Sequence, residues 1–553
     1  MDVAGDRLDL TPHAPSKVPR GQLDDEIGLR SDPAVRDICS IVARARAGIA
    51  LAIALLGACG IAGCSRPPSA APPPPAATGP VEITFLFTSD EHGWLLPHAE
   101  RDADPRRGGA AELLGQWIAR EGHCPGPPSP PCAAPRTLAL SGGDNATGPA
   151  LSSYFNGVPM ADAMARIGYA ASALGNHDFD FGRARFLEFR ARSHITYLAA
   201  NLRAPERLPD AGLPAFAMFE RRGIKIGVVG LATDTTLSNA MASLFEGITF
   251  ERDEPALVRA TREAWQAGAD VVVAIAHECP EVLAPIVERH PELHLAFVGG
   301  GHCHRLTDLR PGNVPVISPG ARLEHYARVR ITADPGRPAG ARLLGVTAQL
   351  VAVPDDGPAA PPDPEIAAAV PRWQAKLDAA LGEQIGYVAE AVPQRSPALA
   401  RWITEAWRLE LGADVALVNG GAIRQSLPKG PITKAVLWSI LPFDNKVVML
   451  RLKGADLIAN LDRRGAIMSG AIKLAPGRYQ LETGAAIDPA GTYSLVTIDY
   501  LYLDGGGYTL HDRALSVDTA NRDWREPVVA WTRSQHSTQD SPLVLRAPPA
   551  PAP

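Results

Sequence analysis

The segment Gly175–Gly182 has the sequence GNHDFDFG and follows a short apolar run. Its eight residues supply an amide oxygen, an imidazole and two carboxylates between two glycines. A purely structural loop has little use for such a set, because each polar group must be solvated or paired. We therefore take this segment as the centre of a candidate functional site.

Four other segments place similar groups directly after apolar, strand-like runs. These runs are VEITFLF (81–87), TLAL (137–140), VVVAIA (271–276) and HLAFVGG (294–300). The groups that follow them are Asp90 and His92, Asp144 and Asn145, His277, and His302 and His304. We expect the ends of these five strands to lie together, so that their carboxylate, amide and imidazole groups share one site. This set of groups predicts a dinuclear metal site.

A pair of metal ions needs a shared ligand, and a carboxylate can bridge where an imidazole normally cannot. Asp144 is the predicted bridge, because Gly142 and Gly143 let the backbone turn tightly before it. Asn145 beside it is interpreted as a turn residue. Two metals clamp the attacking and leaving oxygens of an in-line displacement at phosphorus and lower the pKa of bound water. The mixed donors favour two divalent ions of the Zn, Mn or Fe type over Ca or Mg.

Strand and helix patterns alternate from residue 81 to residue 352 and predict an α/β domain, in which ligands lie at the strand carboxyl ends. The predicted strands are Val81–Thr88, Thr137–Leu140, Ile195–Ala199, Ile224–Leu231, Asp270–Ala276, Leu295–Val298 and Val314–Ile317. The predicted helices are Glu112–Arg120, Pro159–Ile167, Pro255–Ala267 and Pro280–His290.

A Pro-rich segment, VPDDGPAAPPDP at 353–364, interrupts this pattern. Together with the predicted helix Glu365–Leu381 it forms a linker over 353–382. A smaller domain is predicted for 383–546, and it opens with the predicted helix Pro397–Leu411.

The first 64 residues have the pattern of an export leader. Arg44 and Arg46 precede an apolar run at 47–58, and the sequence IAGC ends at Cys64. The run is too short for a membrane span, which needs ~20 apolar residues, and is typical of a secretory signal. The IAGC ending resembles the bacterial lipoprotein signal, in which Cys64 would be acylated. Residues 65–80 then form a Pro-rich tether. We expect an exported, lipid-anchored protein on the periplasmic side of the outer membrane or at the cell surface.

The composition is consistent with two folded domains and a leader. The chain has 553 residues, 46% of them hydrophobic, which is enough for two cores. Its formal net charge of −6 provides no electrostatic footprint for a nucleic acid polymer. The expected partners are a small-molecule substrate and, through the lipid anchor, a membrane.

The seven cysteines fit an oxidising compartment. Cys124 and Cys132 bracket a Pro-rich loop and are predicted to form a disulfide. Cys279 and Cys303 lie one or two positions from the histidines of the predicted metal site. The sequence allows three roles for this pair: thiolate ligands of the metals, a disulfide, or buried thiols. A disulfide or buried thiols are favoured, because the histidine and carboxylate set is already complete.

The ordered motifs D-x-H, GGD, GNHD, AH and GHCH resemble those of the calcineurin-type metallophosphoesterases, and more closely the bacterial 5'-nucleotidase and UDP-sugar hydrolase family. The resemblance implies a layered α/β/β/α sandwich followed by a smaller α/β substrate-binding domain. It implies that one metal binds Asp90, His92, Asp144 and His304, and that the other binds Asp144, Asn176, His277 and His302. It also implies that His177 and Asp180 form a catalytic dyad, with an imidazolium that assists the leaving oxygen.

The same resemblance extends to the C-terminal part, where VNGGAIR (418–424) matches a family signature. It implies substrate contacts from polar and charged side chains and a nucleobase held between two aromatic rings. The residues concerned are Arg395, Arg401, Asn419, Arg424, Phe443 and Tyr500. The sequence departs from the family at Gly506, where members commonly have an Asp that holds ribose hydroxyls; Asp504 is shifted by two positions.

We therefore expect an exported phosphohydrolase that releases phosphate from nucleotides or related phosphate esters through attack of a metal-bound hydroxide. Two alternative enzymes are a thiosulfohydrolase-type enzyme of the same superfamily, acting on a sulfur ester, and a cyclic-nucleotide phosphodiesterase. A third alternative is a non-catalytic, nucleotide-binding surface lipoprotein. The arginines and the paired aromatic residues favour nucleotides.

Overall fold

The computed structural model describes residues 79–99, 104–127, 135–205, 212–503, 505–519, 521–547 and 549. The predicted leader with Cys64, residues 65–78 of the tether, and Cys132 lie outside the described residues. Among the residues that are described, no helix is both long and apolar enough to cross a bilayer.

The first sheet has six strands. The four that come first in the sequence are neighbours in the sheet and run parallel to one another. Two antiparallel strands extend it on one side. From edge to edge the strands are Leu343–Ala352, His325–Ala333, Val81–Thr88, Thr137–Ser141, Tyr169–Ala173 and Thr196–Leu198.

The second sheet also has six strands, with a parallel centre and an antiparallel strand at each edge. In order these are Leu306–Leu309, Val316–Pro319, Leu295–Gly299, Val271–Ala276, Ile224–Leu231 and Phe216–Arg221. Its strand Val271–Ala276 is buried along its whole length, as the unbroken VVVAIA run requires, since both faces of a central parallel strand are covered.

The two sheets pack face to face, with helices on both outer sides. Phe85 of the first sheet meets Phe297 of the second in the shared core, with ring centroids 5.0 Å apart. Leu86, the neighbour of Phe85, points the other way into a second core formed with helices, because alternate strand residues face opposite sides. The result is a layered α/β/β/α sandwich, as expected from the resemblance.

The helices that cover the first sheet are Ala110–Gln116, continued by a π-helical turn at Trp117–Glu121, then Ala150–Ser153, Val158–Ile167 and Arg183–Ser193. Those that cover the second are Asp253–Gln266 and Pro280–Arg289. Short elements complete this part: strands Leu202–Arg203 and Thr249–Phe250, helix Thr236–Asn239, and 3-10 turns at Ala242–Phe245, Pro291–Leu293 and Pro311–Asn313.

The helix Pro364–Leu381 leads from the sandwich to the C-terminal part. Asp363 caps its N-terminus by accepting hydrogen bonds from the backbone N–H groups of Glu365 and Ile366. Asp363 also accepts from Arg166 at 2.7 Å, so this end of the helix is tied to the sandwich. Ile366 and Leu377 pack into the helix-covered core of the first sheet.

The C-terminal part is built on a five-stranded mixed sheet with its own core. The strands, in order, are Ala466–Ser469, Val415–Asn419, Thr492–Ile498, Val447–Lys453 and Ser516–Asp518. Its helices are Pro397–Leu411, Lys434–Ile440, Gly454–Leu461, Asp499–Tyr502, Leu510–Arg513 and Arg525–Ser534, with 3-10 turns at Gly420–Ala422 and Gly505–Gly507. Two separate antiparallel pairs of strands belong to this part as well: Gln384–Val388 with Gly430–Thr433, and the hairpin Ala471–Ala475 with Arg478–Leu481. The smaller α/β architecture expected here is therefore present.

Candidate metal centre and substrate cavity

The seven predicted metal ligands lie just beyond the carboxyl ends of five strands, at one edge shared by the two sheets. The strands Val81–Thr88, Thr137–Ser141 and Tyr169–Ala173 of the first sheet precede Asp90 and His92, Asp144, and Asn176 respectively. The strands Val271–Ala276 and Leu295–Gly299 of the second precede His277 and the pair His302 and His304. Sequence segments more than 200 residues apart thus meet because both sheets present their parallel strand ends on the same side.

Asp144 lies between the two predicted ligand sets. Its Oδ2 atom is 3.2 Å from Nε2 of His277 and 3.6 Å from Nε2 of His92. These two histidines belong to different predicted metals, so the position of this carboxylate is the one that a bridge requires. Asp90 is also central, since it groups with His92 and His304 and also with Asp144 and His277.

The remaining donors complete the two sets. Nε2 of His304 is 3.2 Å from Oδ1 of Asp90 and 3.0 Å from Nε2 of His92. Nε2 of His277 is 3.0 Å from Oδ1 of Asn176 and 3.3 Å from Nδ1 of His302. All seven predicted ligands are therefore brought together.

The orientation of the imidazoles tests whether this cluster suits metal ions. Nδ1–H of His92 donates to the carbonyl of Thr147 at 2.9 Å, and Nδ1–H of His277 donates to the carbonyl of Gly142 at 2.9 Å. In the neutral rings each Nε2 then presents a lone pair to the cluster. The Nε2 of His277 faces the amide oxygen of Asn176 and the carboxylate of Asp144, so all three groups can direct ligand atoms toward the same point. A backbone carbonyl that orients a ligating histidine is also the arrangement that metal sites use.

Backbone strain is concentrated at the same residues. Five of the seven predicted ligands have positive φ angles: Asp90 (54°), His92 (46°), Asp144 (59°), His302 (64°) and His304 (53°). For a residue other than glycine this conformation costs about 1–3 kcal/mol. Such outliers cluster at functional sites, where the surrounding structure holds them in place.

The two central carboxylates are held in their charged form. Burial opposes ionisation of Asp144, but the neighbouring imidazoles of His277, His177 and His92 bring its pKa well below the ordinary value. Burial likewise opposes ionisation of Asp90, and the imidazoles of His304 and His277 lower its pKa to about 2. The site therefore presents two anionic ligands at neutral pH.

The predicted dyad is formed next to this cluster. Nδ1 of His177 lies 2.9 Å from Oδ2 of Asp180, and the backbone N–H of His177 donates to Oδ1 of Asp144 at 2.8 Å. Burial disfavours the charged imidazole, yet the carboxylates of Asp180 and Asp144 raise the pKa of His177 above its ordinary value. The histidine is thus oriented and predisposed to carry a proton.

Asp178 is a positioning residue that the sequence reasoning missed. Its carboxylate accepts hydrogen bonds from the backbone N–H groups of Gly175 (2.8 Å), Asn145 (3.0 Å) and Asp144 (3.3 Å). It therefore fixes the Asp144 turn to the loop that carries Asn176. The sequence did contain an indication of this role, because Asp178 was the one carboxylate of GNHDFDFG without a predicted function. Asn145, interpreted as a turn residue, donates to the hydroxyl of Tyr197 at 2.8 Å.

Cys279 and Cys303 form a disulfide, with their Cα atoms 5.3 Å apart. The bond ties the segment after His277 to the loop that carries His302 and His304. This result selects the disulfide among the alternatives that the sequence left open. Cys124 is also disulfide-bonded, while its predicted partner Cys132 lies outside the described residues.

A cavity of about 570 Å³ adjoins the donor cluster and is lined by both parts of the chain. Asp144, Asn176, His177, Asp180, His302 and His304 line it from the sandwich, and Asn419, Arg424, Phe443 and Tyr500 line it from the C-terminal part. We call it the substrate cavity. Arg424 reaches the cluster itself, with Nη2 3.3 Å from Nε2 of His92.

The two aromatic rings of the substrate cavity are held by contacts with the sandwich. The ring of Phe443 stacks on His177 at a centroid distance of 5.3 Å and an interplanar angle of 23°. The hydroxyl of Tyr500 donates to the carbonyl of Ser238 at 3.2 Å. Oδ1 of Asn419 is buried and has no hydrogen-bond partner among the described residues, so it is an acceptor available to a ligand.

Two predicted substrate contacts are placed elsewhere. Arg401 does not line the substrate cavity; its guanidinium donates two hydrogen bonds, of 2.6 and 2.9 Å, to the carboxylate of Glu482. Arg395 lines a second, neighbouring cavity instead. Gly506 adopts a φ of 68° in the turn Gly505–Gly507, and Asp504 lies outside the described residues.

Comparisons with known proteins agree with this architecture. The family model described as "5'-nucleotidase, C-terminal domain" matches residues 381–513. Protein UshA of Yersinia enterocolitica is 25% identical over 492 residues, which cover 77% of this chain and 86% of the relative.

Solved structures share the fold. A 5'-nucleotidase precursor from Thermus thermophilus has a TM-score of 0.70 at 22% identity, covering 86% of this chain and 100% of that one. The sulfate thiohydrolase SoxB of Thermus thermophilus has a TM-score of 0.65 at 18% identity, covering 84% of this chain and 96% of that one.

The expected fold and the resemblance drawn from the motifs are confirmed. The family-model match includes Asn419, Arg424, Phe443 and Tyr500, and the similarity to UshA extends over most of both proteins. The chain therefore resembles the bacterial 5'-nucleotidases and UshA proteins in its two-part organisation, and residues 381–513 match the 5'-nucleotidase C-terminal domain.

Proposed function

We propose that this protein is a dinuclear-metal phosphohydrolase that releases phosphate from nucleotides. One observation carries the proposal: the donor cluster and the two aromatic rings line the same cavity of about 570 Å³. A phosphate at the cluster would therefore leave its organic part beside Phe443 and Tyr500. The names of the relatives, 5'-nucleotidase among them, support the same substrate class.

Two divalent ions fit the donor cluster, with Asp90, His92, Asp144 and His304 as ligands for one and Asp144, Asn176, His277 and His302 as ligands for the other. When bound, they would supply an activated nucleophile at neutral pH and positive charge for the phosphoryl oxygens.

The chain's own residues supply the rest of the mechanism. Arg424, beside His92, offers a guanidinium that can bind phosphate oxygens in bidentate geometry. His177 donates a proton to the leaving oxygen, and Asp180 holds the imidazole by its Nδ1 atom. In this scheme Asn419 accepts a hydrogen bond from the substrate, and the base stacks on the aromatic rings, which contributes ~1–3 kcal/mol per base.

Recognition of the sugar is the part in which the resemblance implies a departure, at Gly506. Gly506 has no side chain to accept from ribose hydroxyls, and its φ of 68° disfavours replacement by another residue. Asp444 and Asn445 line the substrate cavity from the same side as Phe443. We propose that ribose is bound less tightly here than the base and the phosphate.

A sulfur-ester hydrolase is the second candidate, because the sulfate thiohydrolase SoxB shares this fold. The ring of Phe443 beside His177 favours a substrate with a planar base over a small sulfur ester. A cyclic-nucleotide phosphodiesterase would use the same cavity, and the experiment below separates the three.

We also propose export and lipid anchoring through Cys64, on the basis of the IAGC motif and the Pro-rich tether. In a bacterial host the protein should fractionate with membranes and begin with an acylated Cys64. A Cys64→Ser variant should be released or remain unprocessed. Soluble mature protein with an unmodified Cys64 would contradict the anchor.

The test of the enzymatic proposal is a release assay on the purified protein with elemental analysis of bound metal. Nucleoside monophosphates, nucleotide sugars, cyclic nucleotides, a simple phosphate ester and a sulfur ester would be compared by kcat/KM. Highest kcat/KM for a nucleotide with close to two metals per chain supports the proposal. Faster hydrolysis of the sulfur ester or the cyclic nucleotide, or no hydrolysis at full metal content, contradicts it.

A further inference from the structure

A buried arginine supports the segment that carries Phe443. Residues 441–446 connect the helix Lys434–Ile440 to the strand Val447–Lys453 without a helix or strand of their own. We call this segment the base loop, because its Phe443 lines the substrate cavity. Arg525, at the start of the last helix of the C-terminal part, is 3% exposed and does not line that cavity. The proposed mechanism gives Arg525 no role.

Three alternate carbonyls of the base loop accept hydrogen bonds from Arg525 and its neighbour Trp524. The Nε–H of Arg525 donates to the carbonyl of Leu441 at 2.8 Å, and its Nη2–H donates to the carbonyl of Phe443. The indole N–H of Trp524 donates to the same carbonyl of Phe443 at 3.0 Å, and the backbone N–H of Trp524 donates to the carbonyl of Asn445 at 3.3 Å. These bonds take the place of the ladder that the irregular loop lacks, so they fix its backbone.

The charge of Arg525 is balanced at the same place. Its Nη1–H donates to Oδ2 of Asp523 at 2.9 Å, and Nη2 lies 3.7 Å from Oδ1 of Asp444 in the base loop. Burial of a charged pair is costly, and an apolar side chain of similar volume would pack here without that cost. What the guanidinium adds is a rigid fork that bonds two carbonyls of the loop at once.

Arg525 also connects the base loop to the sandwich. The Cζ atom of its guanidinium lies 3.7 Å from the ring centroid of Trp438, a cation–π contact. The ring of Trp438 packs edge-to-face on Tyr154 of the sandwich, with centroids 5.3 Å apart. Phe443 itself stacks on His177 of the sandwich. The backbone of the loop is thus joined, through Arg525, to a side chain that rests on the sandwich, which restricts where Phe443 can lie relative to the donor cluster.

We propose that Arg525 is a positioning residue for base recognition: it holds the base loop so that the ring of Phe443 is in place to stack on the base of the substrate. The inference rests on the proposed function, because it takes a nucleotide base as the partner of Phe443. Arg525 acts through Phe443 and does not touch the substrate. Without its fork the ring is in place for only part of the time, and the apparent affinity for the base falls by that fraction.

The first test is a double-mutant cycle on the full-length, metal-loaded protein with AMP as substrate. Arg525→Met keeps an unbranched side chain but removes both bonds to the loop. It should raise KM for AMP ~10-fold and change kcat less than ~3-fold, since Arg525 does not contact the donor cluster. In a Phe443→Ala background the same change should raise KM less than ~2-fold, because the ring through which Arg525 acts is gone. Equal effects of Arg525→Met with and without the Phe443 ring would overturn the proposal.

Two further variants separate positioning from loss of stability. Arg328→Met is the matched control, because Arg328 donates to the buried Glu121 at 2.7 Å in the sandwich and does not line the substrate cavity. It should lower the melting temperature and leave KM for AMP unchanged. Arg525→Lys keeps the charge but has no fork, so its KM should lie between those of the wild type and Arg525→Met. A KM that follows the melting temperature across all three variants would contradict the proposal. If Arg525→Met does not fold, Arg525→Lys takes its place in both tests.

The second test is a calorimetric titration with adenosine, which needs no turnover. The wild type should bind one adenosine per chain, and Arg525→Met should bind it ~10-fold more weakly, as partial loss of base stacking implies. The same Kd in both proteins would overturn the positioning role without affecting the proposed nucleotidase activity. Adenosine binding by a wild type that releases no phosphate from AMP would contradict the proposed function and still support this role of Arg525. A wild type that binds no adenosine would contradict both.

Discussion

At the scale of single residues, unusual backbone angles recur within the predicted metal centre. Asp90, His92, Asp144, His302 and His304 all adopt positive φ angles, each costing about 1–3 kcal/mol. Asp and His tolerate this conformation better than most residues, and bound metal ions would offset part of its cost.

At Asp144 this leads to a prediction about metal content. Its carboxylate is within 3.6 Å of histidines from both predicted ligand sets, so its removal takes a ligand from both ions. We expect Asp144→Ala to abolish activity and to lower bound metal below one ion per chain by elemental analysis. Asp162→Ala is the matched control, an Asp outside the cluster, and should keep both ions. Full occupancy in Asp144→Ala would rule out the bridge.

The sequence was most informative at this scale. All seven predicted ligands meet at one cluster, because each motif places its donor directly after a strand. Asp178 was not predicted as a positioning residue, since its role is to accept three backbone N–H groups, and no residue pattern reports where backbone groups point. The ion pair of Arg401 was not predictable for a similar reason: its partner Glu482 is 81 residues away in the sequence.

At the scale of elements, the site forms where the carboxyl ends of five strands lie at one edge of the two sheets. The strands with β-branched and aromatic residues were predictable, and Val81–Thr88 and Ile224–Leu231 have the predicted limits. The strand Tyr169–Ala173 was expected only as a short apolar run before GNHDFDFG, without limits, because YAASA is rich in small residues. The antiparallel strands His325–Ala333 and Leu343–Ala352 were missed, since their exposed positions interrupt the apolar pattern.

The disulfide Cys279–Cys303 connects two of these strand ends, and its removal should loosen the ligands they carry. By loop length, with the cysteines 24 positions apart in the sequence, the bond contributes ~3 kcal/mol to stability. We expect a Cys279→Ser/Cys303→Ser variant to melt at a lower temperature and to lose metal to a chelator at least ~10-fold faster than the wild type. Unchanged metal loss together with a lower melting temperature would show that the disulfide stabilises the fold without holding the ligands.

At the scale of the whole molecule, the substrate cavity exists only because both parts of the chain line it. Phe443 stacks on His177, Tyr500 donates to Ser238, and the backbone N–H of Ala150 donates to Ser439 at 2.9 Å. Sequence patterns predicted each part separately. How they meet depends on side chains far apart in sequence, which is why Arg395 could be predicted as a substrate contact but not placed in the second cavity.

This joint cavity predicts that the effect of the aromatic residues depends on the substrate. Phe443→Ala and Tyr500→Ala should each raise KM for nucleotides ~10-fold or more, because lost stacking costs ~1–3 kcal/mol per base. Glycerol phosphate has no ring to stack, so its KM should rise far less in Tyr500→Ala. Equal changes for both substrates would mean that Tyr500 acts on the cluster and not on the base.

The most direct test of the account is the His177→Ala variant, measured for bound metal and for phosphate release from a nucleotide. His177 contacts the cluster through its backbone N–H and Asp180 through its side chain, but it belongs to neither ligand set. The account predicts that both metals remain and that kcat falls ~10²–10⁴-fold, the scale of a positioned acid. Loss of metal in this variant, or a kcat close to that of the wild type, would contradict it.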